Sequence, residues 1–213
     1  MQKVITVAHQ KGGVGKSTIS LNLAVELGKK YPIIIIDLDY QKSISIFNEN
    51  RKEAGLEPLN IVSAEDRKEL MDIIENTEGM ILIDSGGFDS DLNRIAILGA
   101  DLVITPLSNN LIEIYGLEAF KKILSELREA KSDIRSHILL NNVNPQATKS
   151  IKELQDYLIS NSDYFKMFNT VLRRRADFAK SFELGKNVIE IDENSKASME
   201  IKTLIKEIEE ILL

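Results

Sequence analysis

Along the chain, short β-branched apolar runs alternate with stretches in which apolar residues recur every three or four positions. That alternation predicts a parallel sheet covered by helices. Strands are expected at Val4–Ala8, Ile33–Ile36, Met80–Ile83, Leu102–Thr105 and Ile138–Val143. Ile33–Ile36 is uniformly apolar and β-branched, as suits a strand covered on both faces. Helices are expected over Thr18–Leu27, with Gly28 as a C-terminal cap, and near Glu65–Glu75, Glu113–Ala130, Lys149–Ser160, Arg174–Leu184 and Ala197–Leu212. The connection from Ala8 to Ile33 is long enough for a right-handed βαβ crossover. No long linker, low-complexity segment or repeat interrupts the pattern. Residues 1–213 are therefore expected to form one α/β domain, a mostly parallel twisted sheet flanked by helices.

The last helix carries Ile201, Leu204, Ile205, Ile208, Ile211 and Leu212 on one stripe. A membrane-surface anchor would flank such a stripe with lysines and arginines, whereas Glu207, Glu209 and Glu210 stand beside this one. Packing into the core is the expected use. Composition agrees with a globular chain: 43% of residues are hydrophobic and 28% charged. Apolar runs such as Ile33–Ile36 are far too short to cross a bilayer, and the N-terminus reads as a strand, not a signal peptide. No membrane partner and a cytoplasmic location are expected. The absence of cysteine excludes disulfides, thiolate nucleophiles and cysteine-bound clusters. His9 and His137 have no metal-ligand spacing and read as structural, with His9 close enough to the first loop to influence it.

The first strand runs into Lys11-Gly12-Gly13-Val14-Gly15-Lys16-Ser17-Thr18, which opens the first helix. Glycines between a strand and a helix let backbone N–H groups close around phosphate oxygens, and the helix dipole favours the same anion. In such a loop Lys16 reaches the β- and γ-phosphates, Ser17 places its hydroxyl on Mg2+, and Thr18 adds a contact near the α-phosphate. Gln10 stands where the first glycine of the usual pattern would be, with Lys11 directly after it. The competing reading is a glycine-rich turn with two solvated lysines; the strand before and helix after favour a P-loop NTPase that holds ATP and Mg2+. Asp37 and Asp39 end one strand and Asp84 another, where ligands of open α/β sheets collect. Asp84 is the expected Walker B acid, acting through a bound water. Asp37 is expected to support the metal's hydration shell, and Asp39 to orient attacking water. Helix capping is the plain alternative for Asp37 or Asp39.

Taken together, Lys11–Thr18, Asp37-Leu38-Asp39-Tyr40-Gln41, Ile81-Leu82-Ile83-Asp84 and Val103-Ile104-Thr105-Pro106 resemble the ParA/MinD family of deviant Walker ATPases. The size resembles the small plasmid-partition, ParF-like branch. The resemblance implies an ATP-sandwich homodimer in which Lys11 crosses to the partner's phosphates, stabilising charge as an arginine finger does. It also implies an adenine contact near Asn141 and Asn142, for which an ordinary turn role is the plain alternative. Tyr40 departs from the usual proline, and Ser85-Gly86-Gly87 replaces the common threonine–proline–proline. From Lys166 to Lys186, six basic residues face Asp177 and Glu183, a local balance of +4 within a chain of net charge −6. Arg173, Arg174 and Arg175 form its centre, followed by Lys180 and Lys186. On residues alone a solvated, salt-bridged helix face is the better reading of such a run. The resemblance implies DNA binding without sequence preference through it, and a centromere-binding ParB-like adaptor as partner. The expected function is thus an ATP-hydrolysing DNA-partition ATPase associated with the nucleoid. The rivals are a MinD-like positioning ATPase that cycles on a membrane and a small-metabolite kinase on the same scaffold.

Overall fold

The computed structural model describes residues 2–108, 111–143 and 148–213, the side chains of residues 111–114 and 148–151 excepted. Among them, seven strands join one parallel sheet in the order β3-β2-β4-β1-β5-β6-β7. β1 (Lys3–Val7) lies at its centre, between β4 (Met80–Asp84) and β5 (Leu102–Leu107). β2 (Ile33–Asp37) and β3 (Ile61–Val62) extend one side; β6 (Ser136–Val143) and β7 (Phe165–Arg173) extend the other. The chain leaves β1 through α1 (Lys16–Gly28) towards β2, whereas β5 lies on β1's opposite side. The carboxyl end of β1 is therefore the crevice where ligands of doubly wound sheets bind.

Side-chain alternation along the strands supplies two cores. Ile5, Val7, Ile35, Leu82, Ile104 and Leu139 face one way and bury against α1, α2 (Ser43–Glu53), α8 (Val188–Ile191) and α9 (Lys196–Leu212). Val4, Ile36, Ile81, Val103, Ile138 and Leu140 face the other way, under α3 (Arg67–Asn76), α4 (Asp91–Gly99), α5 (Leu111–Leu127) and α6 (Thr148–Ser160). Covering on both faces is what the near-continuous apolar runs require. Five of the six residues of the α9 stripe pack as the sequence predicts, Ile201, Leu204, Ile205, Ile208 and Leu212 being buried, whereas Ile211 is exposed because it lies at the edge of the face that α9 turns to the sheet. No helix among the described residues is long and apolar enough to cross a membrane.

The helix expected from Arg174 begins two residues later, as α7 (Ala176–Leu184), with Arg175 at its N-cap. Arg173 instead ends β7, an edge strand absent from the sequence reading. Its edge is covered by α9: Glu207 accepts from the backbone N–H groups of Asn169 and Thr170 at 2.7 and 3.0 Å, and Glu200 from that of Arg173 at 3.0 Å. Carboxylates thus satisfy amides that an open edge would offer to another strand.

Candidate functional site

The loop after β1 turns where glycine is needed. Gly13 and Gly15 have φ of 76° and 95°, in the left-handed region. α1 begins at Lys16 without a side-chain cap, leaving its first N–H groups directed at the loop. The Lys16 side chain is buried and its Nζ donates to the Lys11 carbonyl at 3.1 Å. Burial pulls the Lys16 pKa down, and the charges of Asp84 and Asp39 pull it back up. Lys11 is exposed at the turn, beside Gly12 and Gly13.

Parallel pairing aligns the ends of three strands, so that Val7 is level with Asp84 and Asp84 with Asp37. Both aspartates are buried. Ser20, one turn into α1, donates to Asp84 Oδ1 at 2.8 Å. Burial pushes the Asp84 carboxyl up to about 7; hydrogen bonds from Ser17 and Ser20 and the charge of Lys16 oppose this, and the charge of Asp37 adds to it. Asp37 is also raised, chiefly by burial, against the pull of Lys42 and of the Asp39 and Ser45 amides. Each carboxylate keeps one buried oxygen, Oδ2, without a hydrogen-bond partner. Two adjacent unsatisfied carboxylate oxygens beside a serine hydroxyl are costly alone and suit a hard cation. The N-cap position of α2 is Lys42 at φ 50°, not Asp37 or Asp39, but Asp37 does accept from the Ser45 amide in the first turn of that helix. Asp39 closes its own turn, accepting from Gln41 N at 3.0 Å.

On the other flank of the loop, Asn141 Nδ2 donates to the Val14 carbonyl at 2.8 Å. Asn141 and Asn142 border a recess of about 490 Å³ with Gly13, Gly15, Thr18 and Phe178. Arg173, Arg174 and Arg175 line the same recess. Arg173 and Arg175 share the Glu200 carboxylate, through contacts of 3.0 and 2.6 Å. Burial pushes that carboxyl up, but the two guanidiniums and the Arg173 amide outweigh it and hold it below its ordinary value. Lys180 is exposed on α7 and Lys186 is partly covered beyond it; neither borders the recess. The basic run therefore divides into an arginine group beside the loop and two lysines apart from it.

Three contributors escape a reading of the sequence. Ser20 orients Asp84, and its signal is a polar residue, like Asn22, within the mostly apolar buried face of α1. Gly87 lies so close to the loop that a Cβ there would stand 3.1 Å from Gly12 N, which accounts for glycine in the departing Ser85-Gly86-Gly87 stretch. Asn93 holds that stretch, accepting from Gly86 N at 3.2 Å and donating to Phe88 O at 2.6 Å. Tyr40, the other departure, is 87% exposed, so it burdens no core contact.

A central phosphate-type loop flanked by buried acids on a parallel sheet defines a nucleotide-binding α/β protein. Residues 5–188 match the CobQ/CobB/MinD/ParA nucleotide binding domain, and the chain belongs to that family. It is 26% identical to protein ParA of Rhizobium radiobacter over 193 residues, covering 87% of this chain and 84% of that one. A plasmid partition protein from Borrelia burgdorferi B31, solved bound to AMPPNP, superposes with a TM-score of 0.71 at 21% identity, covering 99% of both chains. The septum site-determining protein MinD from Pyrococcus horikoshii OT3, complexed with Mg-ADP, superposes with a TM-score of 0.72 at 18% identity, over 99% of this chain and 97% of that one.

Proposed function

We propose that this chain is a DNA-partition ATPase that hydrolyses ATP, dimerises around it and binds DNA without sequence preference in the ATP-bound form. The observation that carries this reading is the shared recess: the arginine group and the phosphate loop line the same wall. Phosphates held by the loop and an arginine group meant for DNA are thus neighbours, so nucleotide state can bias the DNA-binding face. Burial of most of the α9 stripe supports DNA over a membrane as the surface engaged, because Ile201, Leu204, Ile205, Ile208 and Leu212 are already committed to the core.

Within the site, Lys16 and the loop amides bind the β- and γ-phosphates, and Ser17, Asp37 and Asp84 hold Mg2+ directly or through water. Bound there, Mg2+ neutralises phosphate charge as it develops. Asp39 orients the attacking water, and Lys11 reaches across the dimer to the partner's phosphates. The remaining amide valence of Asn141 faces the adenine. A ParB-like adaptor bound at the centromere stimulates turnover, and the ATP form resides on the nucleoid.

Electrophoretic mobility of a random DNA duplex with ATP, with a non-hydrolysable analogue and with ADP tests the proposal. DNA binding with the two triphosphates but not ADP, falling steeply with salt, is expected. Flotation with acidic liposomes and no DNA shift would place the chain with membrane-cycling relatives. ADP production stimulated only by a small metabolite would make it a kinase.

A further inference from the structure

We propose that His9 is the positioning residue that fixes the Lys11 peptide, and that it ties the setting of the signature lysine to helix α5. The imidazole is 2% exposed at the end of β1. Its Nδ1 accepts from the backbone N–H of Lys11 at 2.9 Å, closing a turn across Gln10. Accepting at Nδ1 leaves the proton of a neutral ring on Nε2. The ring lies nearly parallel to Phe120 of α5, at 9° and with centroids 6.2 Å apart. One turn earlier in α5, Gly116 comes so close that a Cβ there would stand 3.2 Å from His9 Cε1. A side chain at 116 would push the ring off its station, so α5 holds the imidazole in a slot and the imidazole holds Lys11.

The other side of the Lys11 residue is held independently. Its carbonyl accepts from Lys16 Nζ at 3.1 Å, and the next peptide abuts Gly87, where a Cβ would be 3.2 Å from Gly12 Cα. The Lys11 side chain is long and exposed, so the reach of its ammonium is set mainly by where its backbone is anchored. A displacement of about 1 Å at the Cα is enough to spoil a catalytic contact. His9 does not touch phosphate; it acts through Lys11. The inference rests on the role proposed above for Lys11 in trans.

His9→Phe keeps the ring against Phe120 and removes the acceptor. His9→Asn restores an acceptor to the N–H two residues on, through an Asx turn. His9→Phe is expected to keep its ATP affinity within about threefold of wild type while kcat falls about tenfold, and His9→Asn to recover most of kcat. In a Lys11→Ala background, His9→Phe is expected to add nothing, since coupled residues do not combine additively. Wild-type kcat in His9→Phe, or a full further loss on top of Lys11→Ala, overturns the proposal. Amide exchange reads the anchoring bond without a variant: the Lys11 N–H of the wild-type protein should exchange more slowly than those of Gly12 and Gly13, and equal rates overturn it even if His9→Phe fails to fold. Should Lys11→Ala itself hydrolyse ATP normally while its backbone amide stays protected, the trans-lysine reading fails and the His9 anchor stands as a structural bond.

Discussion

Asp39 differs from its two acidic neighbours in what removing it would cost. Asp37 and Asp84 are buried with an oxygen each that is unsatisfied among the described residues, whereas Asp39 is partly exposed and its carboxylate accepts from Gln41 within its own turn. Asp39→Ala should therefore fold and bind ATP near normally. Hydrolysis is expected to fall about 100-fold, the scale of losing a positioned acid–base group. Single-turnover measurement separates binding from cleavage, and unchanged cleavage would reduce Asp39 to a turn former. His137 offers a pH test remote from the loop. Its ring centroid lies 5.5 Å from that of Phe168, and its Nδ1 has no hydrogen-bond partner among the described residues. Burial pulls its pKa down to about 4, Lys166 and Arg135 add to that, and Glu207 opposes it. The unfolded imidazole takes up a proton near 6.5, but the folded one does not until about 4. Stability from the neutral ring is whole above the unfolded value and drains away as pH falls across that window. His137→Gln should gain on wild type in melting temperature as pH drops from 7 to 4.5. A constant difference across that range would show that the ring contributes no such linkage.

At the scale of elements, α2, α7 and α8 behave as one body because of Arg51. Its side chain is 7% exposed and makes a two-point contact with Glu190, both bonds 2.8 Å. It also donates to the Glu57 and Gly185 carbonyls at 2.7 and 3.1 Å. Gly185 has φ 62° and rests on the α2 backbone, where a Cβ would be 2.3 Å from Arg51 N. Arg51→Ala leaves the partly buried Glu190 with the Asn187 amide but without its guanidinium, so it should cost about 2 kcal/mol in urea denaturation. A loss below about 1 kcal/mol would mean that packing, not the ion pair, joins these helices. This junction also shows why some elements were legible in the sequence and others not. β1, β2, β4, β5 and β6 are buried on both faces, and their apolar runs announce them. α2 buries only Ile44, Phe47, Asn48 and Arg51, and its Ser-Ile-Ser-Ile opening imitates a strand. α4 is a nine-residue helix whose start depends on the Ser90 cap. β7 alternates as an edge strand does, but ends in an arginine that reads more readily as helix surface. The phosphate loop was legible because its chemistry is local in sequence. Ser20, Gly87 and Glu200 were not, because each acts on a partner dozens of residues away.

Over the whole molecule, the chain carries a net charge of −6, so the DNA binding proposed above requires a concentrated basic face. The fold places that face under restraint. Glu200 of α9 is bound by Arg173 and Arg175 together, and Arg174 has no ion pair among the described residues. One carboxylate thus offsets part of the three-arginine charge and engages two guanidiniums, that of the exposed Arg173 and that of the more covered Arg175. Glu200→Gln keeps an acceptor for the Arg173 amide and removes the charge, so the β7–α9 junction should persist. DNA affinity in the presence of a non-hydrolysable ATP analogue is expected to rise several-fold. If one more phosphate is engaged, the logarithmic salt slope should steepen by about 0.9. In a dimer both faces would change, and avidity would enlarge the effect wherever the two reach the same duplex. The measurement is DNA binding by wild type and Glu200→Gln at four or more salt concentrations, with melting temperature as the check on folding. If a stable Glu200→Gln protein shows the wild-type affinity and slope, Arg173 and Arg175 serve to fasten the edge strand to α9. The DNA-binding face must then be sought around Arg174, Lys180 and Lys186.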